Sequence, residues 1–151
     1  GCVPSKALIK SAKLAHQMIH ADRYGLSPVI PEVPFRAVME RIRQVIADQL
    51  AALKAGDGAK ALTFAAPGIR TQFGTPEHFL RMVRDGYAPL LSARHTAFLD
   101  GAVIDGATIQ PLRLVLPDDT VQVALYQMQR QPDGRWRIAG CVIAPSTVQA
   151  T

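Results

Sequence analysis

The chain has 151 residues, 48% hydrophobic and 19% charged, with 17 Lys and Arg against 12 Asp and Glu for a formal net charge of +5. That apolar share supports one packed core and excludes wholesale disorder, and no apolar run approaches the roughly 18 residues of a membrane span. The positive charge is dispersed and the nine aromatics form no stacking pattern, so neither nucleic acid nor a membrane is expected as a partner.

Residues 5–22 read as an amphipathic helix: Ser5 can cap it, and Leu8, Ala12, Ala15 and Ile19 fall on one face. Its lysines, Lys6, Lys10 and Lys13, make it basic. The stretch YGLSPVIPEVP at 24–34 carries three prolines and cannot continue a helix. A stronger helix follows over about 34–55, with a stripe of Phe35, Val38, Met39, Ile42, Ile46, Leu50 and Leu53, and Gly56 closing it. GDGAKALTFAAPG at 56–68 predicts a short helix stopped by Pro67-Gly68, with Asp57 as its cap. TPEHFLRMVRDGY at 75–87 has a clear start, with Thr75 as N-cap, Pro76 in the first position and Glu77 in the first turn.

From about residue 94 the apolar period changes to two. The runs HTAFLDGAVI, TIQPLRLVL, VQVALYQMQR and RWRIAGCVIA are joined by D-G, PDDT and QPDG turns, which predicts a four-stranded antiparallel meander. Pro111 inside the second run calls for an edge position or a bulge. Helices followed by a meander define an α+β plan, with the helices packed on one face of the sheet. Trp136 and Ile138 alternate with Arg135 and Arg137, giving a core face and a solvated face.

Two stretches carry resemblances. GCVPSKALIKSAKLAHQ, ADRYGL and VPFRAVMERIRQVI, residues 1 to about 45, resemble the segment after the redox motif of the class I pyridine nucleotide–disulfide oxidoreductases, mercuric reductase in particular. That family pairs two cysteines beside a flavin; here Cys2 matches the second one, and its partner and the dinucleotide-binding glycines are absent from the sequence. The resemblance thus implies no working flavin cycle; it leaves a remnant or partner of a mercuric reductase-like flavoenzyme, with Cys2 as a lone thiol in a redox or metal role. GCVPSK behind a methionine would also match a myristoylation signal, a shorter and less specific pattern.

The second stretch, LKAGDGAKALTFAAPGIRTQFGTPEHFLRMVRDGYAPL together with ALYQMQRQPDGRWRIAGCVIAP, about 40–145, resembles a bacterial family of unknown function with the nuclear-transport-factor-2-like, or cystatin-like, roll. This divides the chain into an N-terminal helix and connector at 1–33, the roll at 34–146 and a tail at 147–151. The fold resemblance implies a cone-shaped pocket between the long helix and the sheet. It is compatible with a binding or interaction module and with a small-molecule enzyme of isomerase, cyclase or dehydratase type.

The pocket candidates are Tyr126, in register with Ala124 and Met128, and, behind it, His95 and Arg113. No Asp or Glu falls on an apolar face, so no buried general base is visible. His16 and His20, four apart, lack a third metal ligand, His78 suits a capping or loop-packing role, and Cys141 reads as a small core hydrophobe. The sequence therefore predicts a non-enzymatic module with no cofactor and a small apolar ligand. A homodimer is expected, because open sheets pair face to face. The expected compartment is the cytoplasm, or the periplasm if a leader has been lost.

Overall fold

The computed structural model describes residues 33–146, so the expected helix at 5–22 lies outside the described residues. The first described element, α1, spans Val33–Lys54. Its buried stripe is Met39, Ile42, Ile46, Leu50 and Leu53, the spacing of one helical face. It ends in a Schellman arrangement: the Asp57 N–H donates to the Ala52 carbonyl at 2.9 Å and that of Gly56 to Leu53 at 3.0 Å. Gly56, at φ +74°, takes the left-handed conformation this closure needs.

Four short helices follow: α2 at Gly58–Thr63, α3 at Pro67–Phe73, α4 at Pro76–Gly86 and α5 at Ala88–Ser92. Asp57 caps α2 by accepting from the Lys60 N–H at 3.0 Å. Thr75 caps α4 by accepting from the His78 N–H at 3.2 Å. The sequence reads Pro67 as a stop, and it is also a start, because proline suits the first helical position whose N–H has no acceptor in any case. His78 folds back to donate from Nδ1 to the Phe73 carbonyl at 2.9 Å, which joins the end of α3 to the start of α4.

Gly58 sits where α2 meets α4. A Cβ there would lie 2.7 Å from the Pro76 carbonyl oxygen and 2.9 Å from Leu80 Cγ. Because the nearer obstacle is backbone, Gly58→Ala is expected to lower the unfolding free energy by about 1–3 kcal/mol. An unchanged urea midpoint would show that α2 and α4 part without resistance.

The strands are β1 (His95–Phe98), β2 (Ala102–Ile104), β3 (Ala107–Val115), β4 (Val121–Arg130) and β5 (Trp136–Pro145). They form one antiparallel sheet in the order β1-β3-β4-β5, with β2 also paired to β3. The first expected run is thus two strands. Residues 99–101 leave the ladder between β1, which pairs with 112–115, and β2, which pairs with 107–109. The break lies opposite Pro111, which is in an interior strand. Its carbonyl accepts from the Leu99 N–H at 3.1 Å, so its missing donor faces this gap rather than an intact ladder.

A bulge shifts the β4–β5 register between Gln127 and Met128, so that Gln127 faces Gly140 and Met128 faces Ile138. The extra residue inverts the alternation along β5. Trp136 and Ile138 before it, and Cys141 and Ile143 after it, all reach the helix side of the sheet. The outer edge of β5 is covered in part by the α2–α3 link: Ala66 N–H donates to the Ile138 carbonyl at 2.8 Å, and Ile138 N–H to that of Phe64 at 2.9 Å. The main core lies between α1 and the inner face of the sheet, where Leu112, Leu114, Ala124, Tyr126 and Met128 are buried. The whole is an α+β fold with helices packed on an open antiparallel sheet. Among the described residues no helix is long and apolar enough to cross a membrane.

Candidate functional site

A small cavity of about 40 Å³ lies in that core. Gln49 and Leu53 of α1, Phe79 and Met82 of α4, Tyr87 at the α4–α5 junction, and Tyr126 and Cys141 of the sheet line it, among others. Tyr126 and Cys141 are cross-strand partners in the β4–β5 ladder. The Tyr87 hydroxyl donates to the Cys141 carbonyl at 2.9 Å, tying the end of α4 to β5 across 54 residues of sequence. Gln49, itself buried, donates from Nε2 to the Ala61 carbonyl at 3.2 Å and so holds α1 to α2.

Tyr126 is 1% exposed, and its hydroxyl has no hydrogen-bond partner among the described residues. A buried hydroxyl left unmatched costs on the order of 1–3 kcal/mol, so a partner for it is strongly favoured. Burial pushes the Tyr126 hydroxyl well above its ordinary value, with the neighbouring Cys141 and Tyr87 adding to the effect. Tyr87 is raised by burial and then by Cys141, and the Cys141 thiol is raised by burial alone. All three groups are therefore neutral at physiological pH. The cavity offers a hydroxyl able to donate or accept, among apolar walls, and among the described residues none that line it is a carboxylate or an imidazole.

The other sequence candidates lie elsewhere. His95 opens β1 and is exposed. Arg113, partly buried, pairs with Ala97 and Val123, and so stands on the face of the sheet away from the helices. The fold thus brings neither residue to Tyr126. Cys2, His16 and His20 lie outside the described residues, among which no group of three or more His, Cys, Asp and Glu is placed to hold a metal ion. The cavity's Tyr87 and Gln49 were not legible in sequence, since each is marked only by a contact to a distant segment.

The fold and this cavity define a small α+β domain with a buried polar group and, among the described residues, no charged side chain in the cavity lining. The chain belongs to the DUF4864 family, a domain of unknown function, which matches residues 36–151. It is also similar to the dihydrolipoyl dehydrogenase of Zymomonas mobilis subsp. mobilis, at 38% identity over 45 residues. That stretch is 30% of this chain and 10% of the enzyme, so the chain spans about a tenth of the curated relative it matches. The match agrees with the oxidoreductase resemblance, naming a dihydrolipoyl dehydrogenase where the sequence reading named mercuric reductase. No solved structure matches the chain.

Proposed function

We propose that this chain is a non-catalytic binding or interaction module, whose cavity beneath β4 and β5 receives the tip of a small apolar ligand bearing one hydrogen-bonding atom. The observation that carries this reading is the unpartnered Tyr126 hydroxyl on the cavity wall. The volume of about 40 Å³ is about three times the roughly 10–15 Å³ that one water requires on the same measure, so a small group of a few heavy atoms enters. The neutral lining favours binding over turnover, because proton transfer at a reacting centre needs a group that changes charge near neutral pH. A nuclear-transport-factor-2-like roll with domain bounds of 34–146 fits the helices-on-sheet layout and belongs to the same proposal.

Native mass spectrometry of the full chain tests it, compared with Tyr126→Phe. The expected result is a noncovalent surplus mass larger than water in the unaltered protein, held about three- to tenfold more weakly by the variant, as for the loss of one hydrogen bond. A bare unaltered protein, together with a Tyr126→Phe variant more stable by about 1 kcal/mol, would end the ligand reading. That pairing of results would mean the hydroxyl is a simple packing defect.

A further inference from the structure

The cations are dispersed along the sequence, and the fold gathers three of them at one place. Arg70 of α3, Arg135 just before β5 and Arg137 within it line an open groove of about 510 Å³. It lies between the α2–α3 link and the turn that joins β4 to β5, and its size is within the roughly 300–1,000 Å³ of small-molecule sites. Among the described lining residues the only acid is Asp133.

Each of these cations is placed by a different element. In the turn, the Gly134 N–H donates to the Gln131 carbonyl at 2.9 Å and the Gln131 N–H to that of Arg135 at 2.8 Å. Asp133 Oδ1 accepts from the Arg135 N–H at 2.9 Å, so this carboxylate is engaged in closing the turn. Its other oxygen is 3.8 Å from Arg135 Nε, a loose and exposed ion pair. Arg137, half-buried, donates from Nη1 to the Trp136 carbonyl at 2.8 Å, which fixes its head along the edge of β5. Arg70 is exposed on α3. The ion pairs among the described residues are Arg94–Asp119 and Arg135–Asp133, so neither Arg70 nor Arg137 has a carboxylate partner there.

The edge of β5 limits what can fill the groove. Ile138 turns its N–H and its carbonyl to the α2–α3 link, where Phe64 and Ala66 take them. Trp136, two residues earlier on the same side, has its carbonyl occupied by Arg137. An added peptide strand therefore finds no free run of edge, and the groups left to bind a ligand are guanidinium donors. All three are arginine, whose planar fork suits phosphate and carboxylate oxygens in pairs. A carboxylate or a phosphodiester presents two free oxygens, whereas a terminal phosphate presents three and is close to doubly charged at neutral pH. We propose that Arg70, Arg135 and Arg137 bind the terminal phosphate of a small soluble molecule. This site is apart from the Tyr126 cavity, with which it shares Ala65 as a wall.

The test is titration of the full chain with inorganic phosphate, exchanged for chloride at constant ionic strength and followed by the arginine Nε–H signals in NMR. The expected result is a saturating shift at Arg70, Arg135 and Arg137 in about the millimolar range. Arg94, beside the turn at the far end of β4, should not move. Arg70→Ala should weaken binding about tenfold, and Arg70→Lys, which keeps the charge and loses the fork, about threefold. Arg94→Ala removes the same charge and should leave the affinity within about twofold. Arg70 is the deciding position, because Arg137→Ala would also disturb the β5 edge. Shifts that rise linearly without saturating, or equal weakening by Arg70→Ala and Arg94→Ala, would reduce the groove to diffuse surface charge and overturn the proposal. Two further arms exclude other sources of phosphate. Retention by phosphatidic acid vesicles without a saturating response to inorganic phosphate would overturn it in favour of a lipid surface. Tighter, steeply salt-dependent binding to a single-stranded oligonucleotide lacking a terminal phosphate would do so in favour of a nucleic-acid backbone.

Discussion

Replacing Gln110 by leucine is expected to lower the unfolding free energy by about 2–4 kcal/mol, although leucine is apolar and of similar size. Gln110 is fully buried in β3, at 0% exposure. Its Nε2 donates to the carbonyls of Leu99 and Pro111, each at 2.7 Å, and its Oε1 accepts from Arg43 Nε at 3.1 Å. Arg43 also donates from Nη2 to the Leu99 carbonyl at 3.0 Å, and its guanidinium lies 5.5 Å from the centre of the Phe98 ring. The amide thus supplies a second donor to both carbonyls at the gap opposite Pro111, beside the Arg43 Nη2 on Leu99 and the Leu99 N–H on Pro111, and it gives the part-buried Arg43 Nε–H its acceptor. Leucine would strand the Arg43 Nε–H and remove one donor from each carbonyl, and an unmatched buried group costs more than a hydrogen bond returns. Urea unfolding measures this directly. A loss below about 0.5 kcal/mol, the scale of an ordinary surface substitution, would show that water takes over the role of the amide.

Gln110 also marks the limit of what sequence reading can reach. The helices at 34–55 and 75–87 were legible because a period of 3.6 and a Thr-Pro-Glu start are local signals, and the structure places α1 and α4 there. The division of the first strand run was hidden, because Leu99-Asp100-Gly101 interrupts an alternation that continues on both sides of it. What makes the interruption stable is Arg43, 67 residues from Gln110, and no local pattern reports that contact. The bulge in β5 hid in the same way: strict alternation puts Trp136 and Cys141 on opposite faces, yet one extra residue brings both to the helix side. Tyr126 was picked out through its register with Ala124 and Met128, and those three residues do share the core-facing side of β4. That its hydroxyl would lack a partner depends on Tyr87 bonding to Cys141 instead, a fact of packing alone.

The same three groups set the response to alkali, the second large effect. The hydroxyls of Tyr87 and Tyr126 have an ordinary pKa of 10.0 and the Cys141 thiol one of 9.0; in the folded chain burial raises all three. Between the ordinary and the raised value the folded state keeps a proton that the unfolded state has released. The stability each group contributes is therefore complete below its ordinary value and is lost as pH rises from there through the folded value. The slope is roughly 1 to 2 kcal/mol per pH unit for each group. Cys141 alone acts from about pH 9, and the two tyrosines join it from about pH 10. Unfolding free energy is expected to be level between about pH 7 and pH 9 with respect to these groups, and then to fall by several kcal/mol by about pH 11, a large part of a small domain's total. Tyr126→Phe and Cys141→Ala should each remove one share of the slope, and Tyr87→Phe another at the cost of its bond to the Cys141 carbonyl. Urea midpoints across this range, read beside the phenolate absorbance of the native protein, provide the measurement. A midpoint that holds to pH 11, or native phenolate signal from all three tyrosines at an ordinary pKa, would mean that water reaches the cavity freely and that the neutral, water-poor core described above is wrong.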